Sequence, residues 1–194
     1  MLRPVLITAP ALAPVSLAEA KAHLRVDHPD DDTLIGNLVD AATAHLDGRA
    51  GVLGRCMVNQ EWRIDLADFN SVCLRLPFCD VSGVVIKYDD AAEAEQTLAA
   101  SNYRLLEDAR SSYLEFTDGF AAPTVFDKPN AVRITLVAGF GASAADVPAA
   151  LRLAIKQLVA HWYGSREAVS VGNIGSELPL TVAALIQPYR RVGI

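Results

Sequence analysis

Hydrophobic residues recur at helical spacing near both ends of the chain. Ser16-Leu17-Ala18-Glu19 is a capping box, in which the serine hydroxyl and the glutamate carboxylate each accept from a free backbone N–H. We expect a first helix over about 16–27, ending near Pro29 because the residue before a proline disfavours the helical conformation. A second helix is predicted over about 31–48. Its apolar face consists of Leu34, Ile35, Leu38, Val39, Ala42 and Leu46.

A third helix is predicted over about 147–164. Asp146 is suited to cap it, and Pro148 fits its first turn. Its apolar stripe consists of Leu151, Ala154, Ile155, Leu158, Val159 and Trp162.

The middle of the chain has the shorter period of β-strands. Short polar or proline-containing turns separate these stretches, which favours antiparallel pairing. Only residues 91–99 leave room for another helix. Strands are predicted at 56–66, 72–76, 81–88, 103–107, 112–116 and 131–137.

Together these elements predict an α+β fold. It has a small helical core, an inserted antiparallel β-rich region and an extended C-terminal arm, while the proline-rich residues 1–14 should be extended. The predicted division is 1–55 for the N-terminal helical part, 56–138 for the β-rich insertion, 139–167 for the C-terminal core helix and 168–194 for the tail.

Apolar residues continue in the tail, past a stretch with hinge points at Gly172, Gly175 and Pro179. Thr181 is suited to cap a last short segment that ends at Ile186. Two interpretations stay open: the tail folds back on its own core, or it fills a groove on a partner, where Tyr and Arg are common anchors. The apolar residues are Leu178, Leu180, Val182, Leu185, Ile186, Tyr189 and Ile194.

Composition and charge narrow the function. The 194 residues are 52% hydrophobic and 21% charged, which is typical of a globular protein and not of a disordered one. The net charge of −6 argues against a general nucleic-acid binder, which needs a basic face. One acidic stretch without lysine or arginine favours a surface that lets DNA pass. Its aspartates are Asp27, Asp30, Asp31, Asp32, Asp40 and Asp47.

Few residues indicate a metal, cofactor or catalytic site. Three cysteines without a C-x-x-C pair predict reduced thiols, with no disulfide framework and no zinc ribbon. Asp30-Asp31-Asp32 lacks the alternation and central glycine of a calcium loop, so we interpret it as helix capping. No segment predicts a signal peptide or membrane span. We predict no metal, no cofactor and no catalytic residue.

A glycine-rich turn supplies the alternative from another class. Residues 139–144 match the loose G-x-G-x-x-A pattern of dinucleotide-binding loops. In those loops the helix opens at once, so its N–H groups face the pyrophosphate. Here Pro148 delays the helix, and no βαβ unit surrounds the motif. We favour an ordinary strand-to-helix turn over a small nucleotide-binding enzyme.

The order and spacing of several short segments are similar to a known family. They resemble the head–tail connector, or adaptor, proteins of long-tailed phages, prophages and gene transfer agents, in the version with a β-rich insertion. The matching segments are 15–26 with Asp31-Asp32, 41–51, Asn59-Gln60-Glu61-Trp62, Pro77-Phe78, 85–88, 137–141, Val147-Pro148, 154–166, Leu178-Pro179 and 185–190.

The resemblance implies a structural protein of the particle neck, assembled in the bacterial cytoplasm, with no cofactor and no catalysis. Such proteins form a dodecameric ring between the portal and the stopper and tail. Helices around 16–48 and 148–166 would build the ring wall. DNA would pass through this conduit during packaging and ejection without specific binding, and the acidic aspartates would approach the lumen. The residues expected to bind the portal are Leu178, Leu180, Leu185, Ile186, Pro188, Tyr189, Arg190 and Arg191.

Two further alternatives stay open. The chain could be another neck component, such as a stopper or tail-completion protein, although the apolar C-terminal arm favours the adaptor. It could also be a host interaction module with no viral role.

Overall fold

A computed structural model describes residues 2–69, 73–164 and 179–191. Within these ranges the chain forms two compact units. The helical unit comprises residues 12–58, 140–164 and 179–191, and the β unit comprises residues 2–11, 59–69 and 73–139.

The described part of the helical unit contains four α-helices, α1 (Leu17–Leu24), α2 (Asp32–Leu46), α3 (Ala149–Gly164) and α4 (Leu180–Ile186). The predicted capping box starts α1, since Glu19 donates its N–H to the Ser16 hydroxyl at 3.2 Å and its carboxylate accepts from the Ser16 N–H at 2.9 Å. The predicted apolar faces of α2 and α3 meet in one core. Its buried members from these helices are Ile35, Val39, Ala42, Leu46, Leu151, Ala154, Ile155, Leu158 and Val159.

Among its described residues, the β unit contains eight strands in two antiparallel sheets. The five-stranded sheet has the order β1-β2-β8-β4-β5, formed by Val5–Thr8, Gln60–Leu66, Val132–Ala138, Val81–Asp89 and Glu95–Thr97. The three-stranded sheet has the order β3-β7-β6, formed by Cys73–Arg75, Ser112–Phe116 and Tyr103–Glu107.

The core of the β unit follows from strand register. Ile64, Ile134 and Ile86 stand opposite one another on β2, β8 and β4, and all three are buried. The ring of Trp62 packs at 4.9 Å from that of Phe78. Tyr103 on β6 donates its hydroxyl to the carbonyl of Val84 on β4 at 3.0 Å, which ties the two sheets together. The predicted α+β fold with antiparallel strands is confirmed.

Several local predictions differ from the structure. Asp31 stands at the N-cap position of α2, but its side chain makes no capping hydrogen bond. Asp146 lies in the short turn before α3, where its carboxylate accepts from Ser143, and it is not the cap of α3. Residues 5–8, expected only to be extended, pair with β2 and belong to the β unit. The stretch 91–99 contains strand β5, because Lys87–Asp89 of β4 supplies the pairing partners. The last helix begins at Leu180 with Pro179 in the capping position, so Thr181 lies inside the helix and is not its cap.

Candidate functional site

Helix α4 is anchored by two side chains that enter the helical unit. Val182 and Ile186 lie four residues apart and therefore share one helix face. Their exposed fractions are 0% and 2%, and both belong to the core built by α2 and α3. Burying an aliphatic side chain of this size contributes about 1.5–3 kcal/mol. The helix is therefore firmly attached to its own chain.

The residues after α4 continue along the same unit. Tyr189 is half-buried against the core, near Phe140. Arg191 donates its backbone N–H to the carbonyl of Leu53 at 2.8 Å. Gly54 permits this close approach, because it has φ +64° and a Cβ there would lie 3.3 Å from the Cβ of Arg191. Residues 187–191 are thus fixed on the loop that follows α2.

The opposite side of α4 presents an apolar surface. Leu180 is 86% exposed, and Ala183 and Ala184 beside it are exposed as well. They line an open groove of about 380 Å³ together with Arg190. We call this surface the α4 outer face; the groove is lined by Val52, Leu180, Ala183, Ala184, Ile186, Gln187 and Arg190.

The residues predicted to bind the portal divide into three groups. Leu180, Pro188 and Arg190 are exposed, whereas Leu185, Tyr189 and Arg191 are half-buried. Ile186 is buried in the core of its own chain, although it contributes to the lining of the groove. Leu178 lies outside the described residues. The role of these residues in portal binding stays a prediction. The exposed residues Leu180, Pro188 and Arg190 are the ones that a partner could contact in this conformation.

Half of the acidic stretch has structural roles. Asp31 accepts from the hydroxyl of Tyr163 on α3. Asp32 forms an ion pair with Lys21 of α1. Asp47 accepts from the backbone N–H of Met57 at 2.6 Å. Since these carboxylates join segments of the helical unit, they are not a free acidic surface.

The other half of the stretch faces solvent. Asp27, Asp30 and Asp40 are exposed, and Asp30 lies 3.6 Å from the imidazole of His28. Of the six aspartates predicted to line a DNA conduit, these three are therefore the ones that remain candidates for that surface.

The glycine-rich turn is occupied by a carboxylate of its own chain. The Ser143 N–H donates to Asp146 at 2.8 Å, and the Phe140 N–H donates to the Met57 carbonyl at 2.9 Å. The pKa of Asp146 is lowered mainly by the hydrogen bond from the Ser143 backbone N–H, and secondly by a hydrogen bond from the Ser143 hydroxyl. A Cβ on Gly141 would lie 2.3 Å from the Asp146 carboxylate, which explains the glycine. A negative side chain in this place opposes phosphate, so the turn is structural.

The outer face of the five-stranded sheet contains an ionic network. Asp89 on β4 is only 5% exposed and accepts two hydrogen bonds from Arg133 on β8, at 2.5 and 2.7 Å. Lys128 lies 2.7 Å from the same carboxylate. Hydrogen bonds from Arg133, and secondly from Lys128, hold the pKa of Asp89 far below its usual range. The network fastens β4 to β8 and is a structural feature of the β unit.

The described ranges contain no group of three or more His, Cys, Asp and Glu side chains placed to hold a metal ion. None of their helices has both the length and the apolar character needed to cross a membrane. None of the three cysteines, all of which are described, forms a disulfide; Cys56 and Cys79 are buried and Cys73 is exposed.

The residues of the same chain that contact the tail were not predicted from the sequence. Leu53, Gly54 and Phe140 contact residues 189–191 from distant parts of the chain. The spacing of Val182 and Ile186 places both residues on a single helix face. It does not show whether that face packs against the same chain or against a partner.

Comparisons with known proteins agree with this arrangement. The sequence pattern described as "Phage gp6-like head-tail connector protein" matches residues 14–72 and 111–190. None of the curated proteins compared with the chain matches it significantly.

Solved structures of gene transfer agent particles share the fold over the whole chain. They are a neck of an empty particle computed with C6 symmetry (TM-score 0.78), a virion of a native particle (0.79) and a neck of a native particle computed with C12 symmetry (0.75). Each is 26% identical and is aligned over 100% of this chain and 97% of its own. The chain therefore belongs to the family of phage gp6-like head–tail connector proteins, and it is a structural connector subunit of a particle neck.

Proposed function

We propose that copies of this chain form a ring between the portal and the stopper and tail of a phage or phage-like particle, and that the α4 outer face binds the portal. The observation that carries the proposal is Leu180, a large aliphatic side chain left 86% exposed beside an apolar groove.

The two faces of α4 suit this role. Val182 and Ile186 fix the helix to its own subunit, so the opposite face is presented on a rigid support. A preformed surface loses little conformational entropy on binding, which favours affinity. Arg190, which also lines the groove, adds a residue type that is enriched among interface anchors.

The ring and its conduit rest on separate observations. Solved necks that share this fold were computed with C6 and C12 symmetry, and rotational symmetry of this kind makes each subunit meet its neighbour through two different surfaces. We place the exposed Asp27, Asp30 and Asp40 toward the lumen, where negative charge would keep passing DNA from adhering. The subunit acts without catalysis in this proposal.

Deleting the whole tail is a poor test, because it would remove Val182 and Ile186 from the core. The substitution Leu180→Asp changes only the outer face. We expect it to weaken binding to the portal protein of the same particle by roughly tenfold or more, since a leucine buried on binding contributes about 1.5–3 kcal/mol.

Val85→Asp is the matched control, since Val85 is a 48% exposed side chain on the β unit. Binding would be measured by sedimentation of portal rings with the labelled subunit, after circular dichroism has shown that both variants fold. Equal binding of Leu180→Asp and the native chain would refute the proposed role of the α4 outer face.

A further inference from the structure

The five-stranded sheet has an apolar free edge. In the part of the chain that the structure describes, this sheet ends in β1 on one side and β5 on the other. Val5, Leu6 and Ile7 of β1 are 44%, 43% and 47% exposed, and Leu2 just before them is exposed too. Natural edge strands are usually protected by charge or by covering segments, because their unpaired N–H and C=O groups invite another strand.

The exposed side chains lie on both faces of the strand. Val5 stands in register with Arg63 of β2, whereas Leu6 stands in register with Trp62 and so points to the other face. A strand added beside β1 would cover part of these side chains on each face, because side chains of neighbouring strands pack against one another on the same face.

The edge is short and bounded. Pro4 and Pro10 flank it, and the register shifts between Leu6 and Thr8. Both features limit the pairing that another strand can add, so the edge suits one defined partner and not open-ended association.

We propose that β1 of one subunit pairs with β5 of the next copy of this chain, so that the five-stranded sheets join around the ring. This inference rests on the ring arrangement proposed above. Contact between two neighbours in a ring is heterologous, and the two opposite edges of one sheet supply two different, complementary surfaces. Pairing of β1 with β1 would be isologous and would end at a dimer.

The edge opposite β1 is exposed as well. All three residues of β5, Glu95–Thr97, are exposed to solvent. The Glu95 carboxylate is already paired with Lys87 and Arg133 of its own sheet. The proposed pairing therefore relies on backbone hydrogen bonds between the two edges and on burial of the apolar side chains of β1.

Hydrogen–deuterium exchange on the native chain provides the first test. It compares the free subunit with rings assembled on the portal and verified by negative-stain microscopy. We expect the backbone amides of residues 2–8 to gain protection on assembly. Unchanged exchange of this segment in verified rings overturns the inference and leaves the portal-binding role of α4 untouched.

The double substitution Val5→Lys with Ile7→Lys provides the second test, with Val85→Lys as its control. Val85 is equally exposed and lies in the same cross-strand row as Val5, but on the interior strand β4. We expect the double variant to lose ring closure while still binding the portal through α4, and the control to assemble normally. Normal rings from the double variant, or equal loss in the control, contradict strand pairing at this edge.

Discussion

The ring of Tyr189 meets the ring of Phe140 edge-on, with 6.3 Å between their centroids. Arg55 lies over the same Phe140 ring, 5.5 Å from its centroid. This packing ties the segment after α4 to the turn before α3, within the helical unit. The tail of this connector therefore has one side committed to its own subunit, and only the other side remains for a partner.

The anchoring of α4 leads to a first prediction. Ile186→Ala should lower the free energy of unfolding by about 2–5 kcal/mol, because it removes buried methyl groups and leaves a cavity. Leu180→Ala, on the exposed side, should change it by less than about 0.5 kcal/mol. Denaturant unfolding followed by circular dichroism measures both. Equal stability of the two variants would mean that α4 is not part of the core.

The glycine-rich turn gives a second prediction. Gly141→Ala should destabilise the protein by about 1–3 kcal/mol, since the new methyl group would collide with the Asp146 carboxylate. Gly36→Ala is the opposite case, because Gly36 lies inside α2 with open space around its Cβ position. That change should stabilise the helix by about 0.5–1 kcal/mol. Thermal unfolding of both variants decides whether the turn is structural in the way described.

A third prediction concerns acid. Hydrogen bonds from Arg133 and Lys128 depress the pKa of Asp89 in the folded state below its unfolded value of about 4. The stabilisation from this carboxylate is therefore present above about pH 4 and is lost as the pH falls further, toward the folded pKa.

Asp89→Asn should consequently be less stable than the native chain at pH 7, and the difference should shrink below about pH 4. Urea unfolding across this pH range measures it. Asp118→Asn, at an exposed position, serves as the control. A stability difference for Asp89→Asn that does not change with pH would show that the effect does not come from the charged carboxylate.

Local spacing predicted the helices and most of the strands, because α1 begins with a capping box and α2 and α3 have apolar stripes at 3.6-residue spacing. Strand β1 was not predicted, because this exposed four-residue edge strand lacks the alternation of apolar and polar residues that indicates a strand. The sequence also did not predict where the tail packs. Whether Ile186 is buried depends on the core that α2 and α3 form, which spacing alone does not place.

The acidic stretch shows the same limit. Nothing near Asp31, Asp32 or Asp47 in the sequence indicates that Tyr163, Lys21 and the Met57 N–H would reach them. A run of acidic residues in the sequence therefore predicts a larger exposed acidic surface than the fold has, wherever residues distant in the sequence bind some of the carboxylates.

Binding of the α4 outer face to the portal is best tested by an electron cryo-microscopy structure of the assembled neck at side-chain resolution. We expect Leu180 to be buried against the portal while Val182 and Ile186 remain packed in a connector core. A neck in which Leu180 faces solvent, with the portal contacting the connector only through other surfaces, would contradict it.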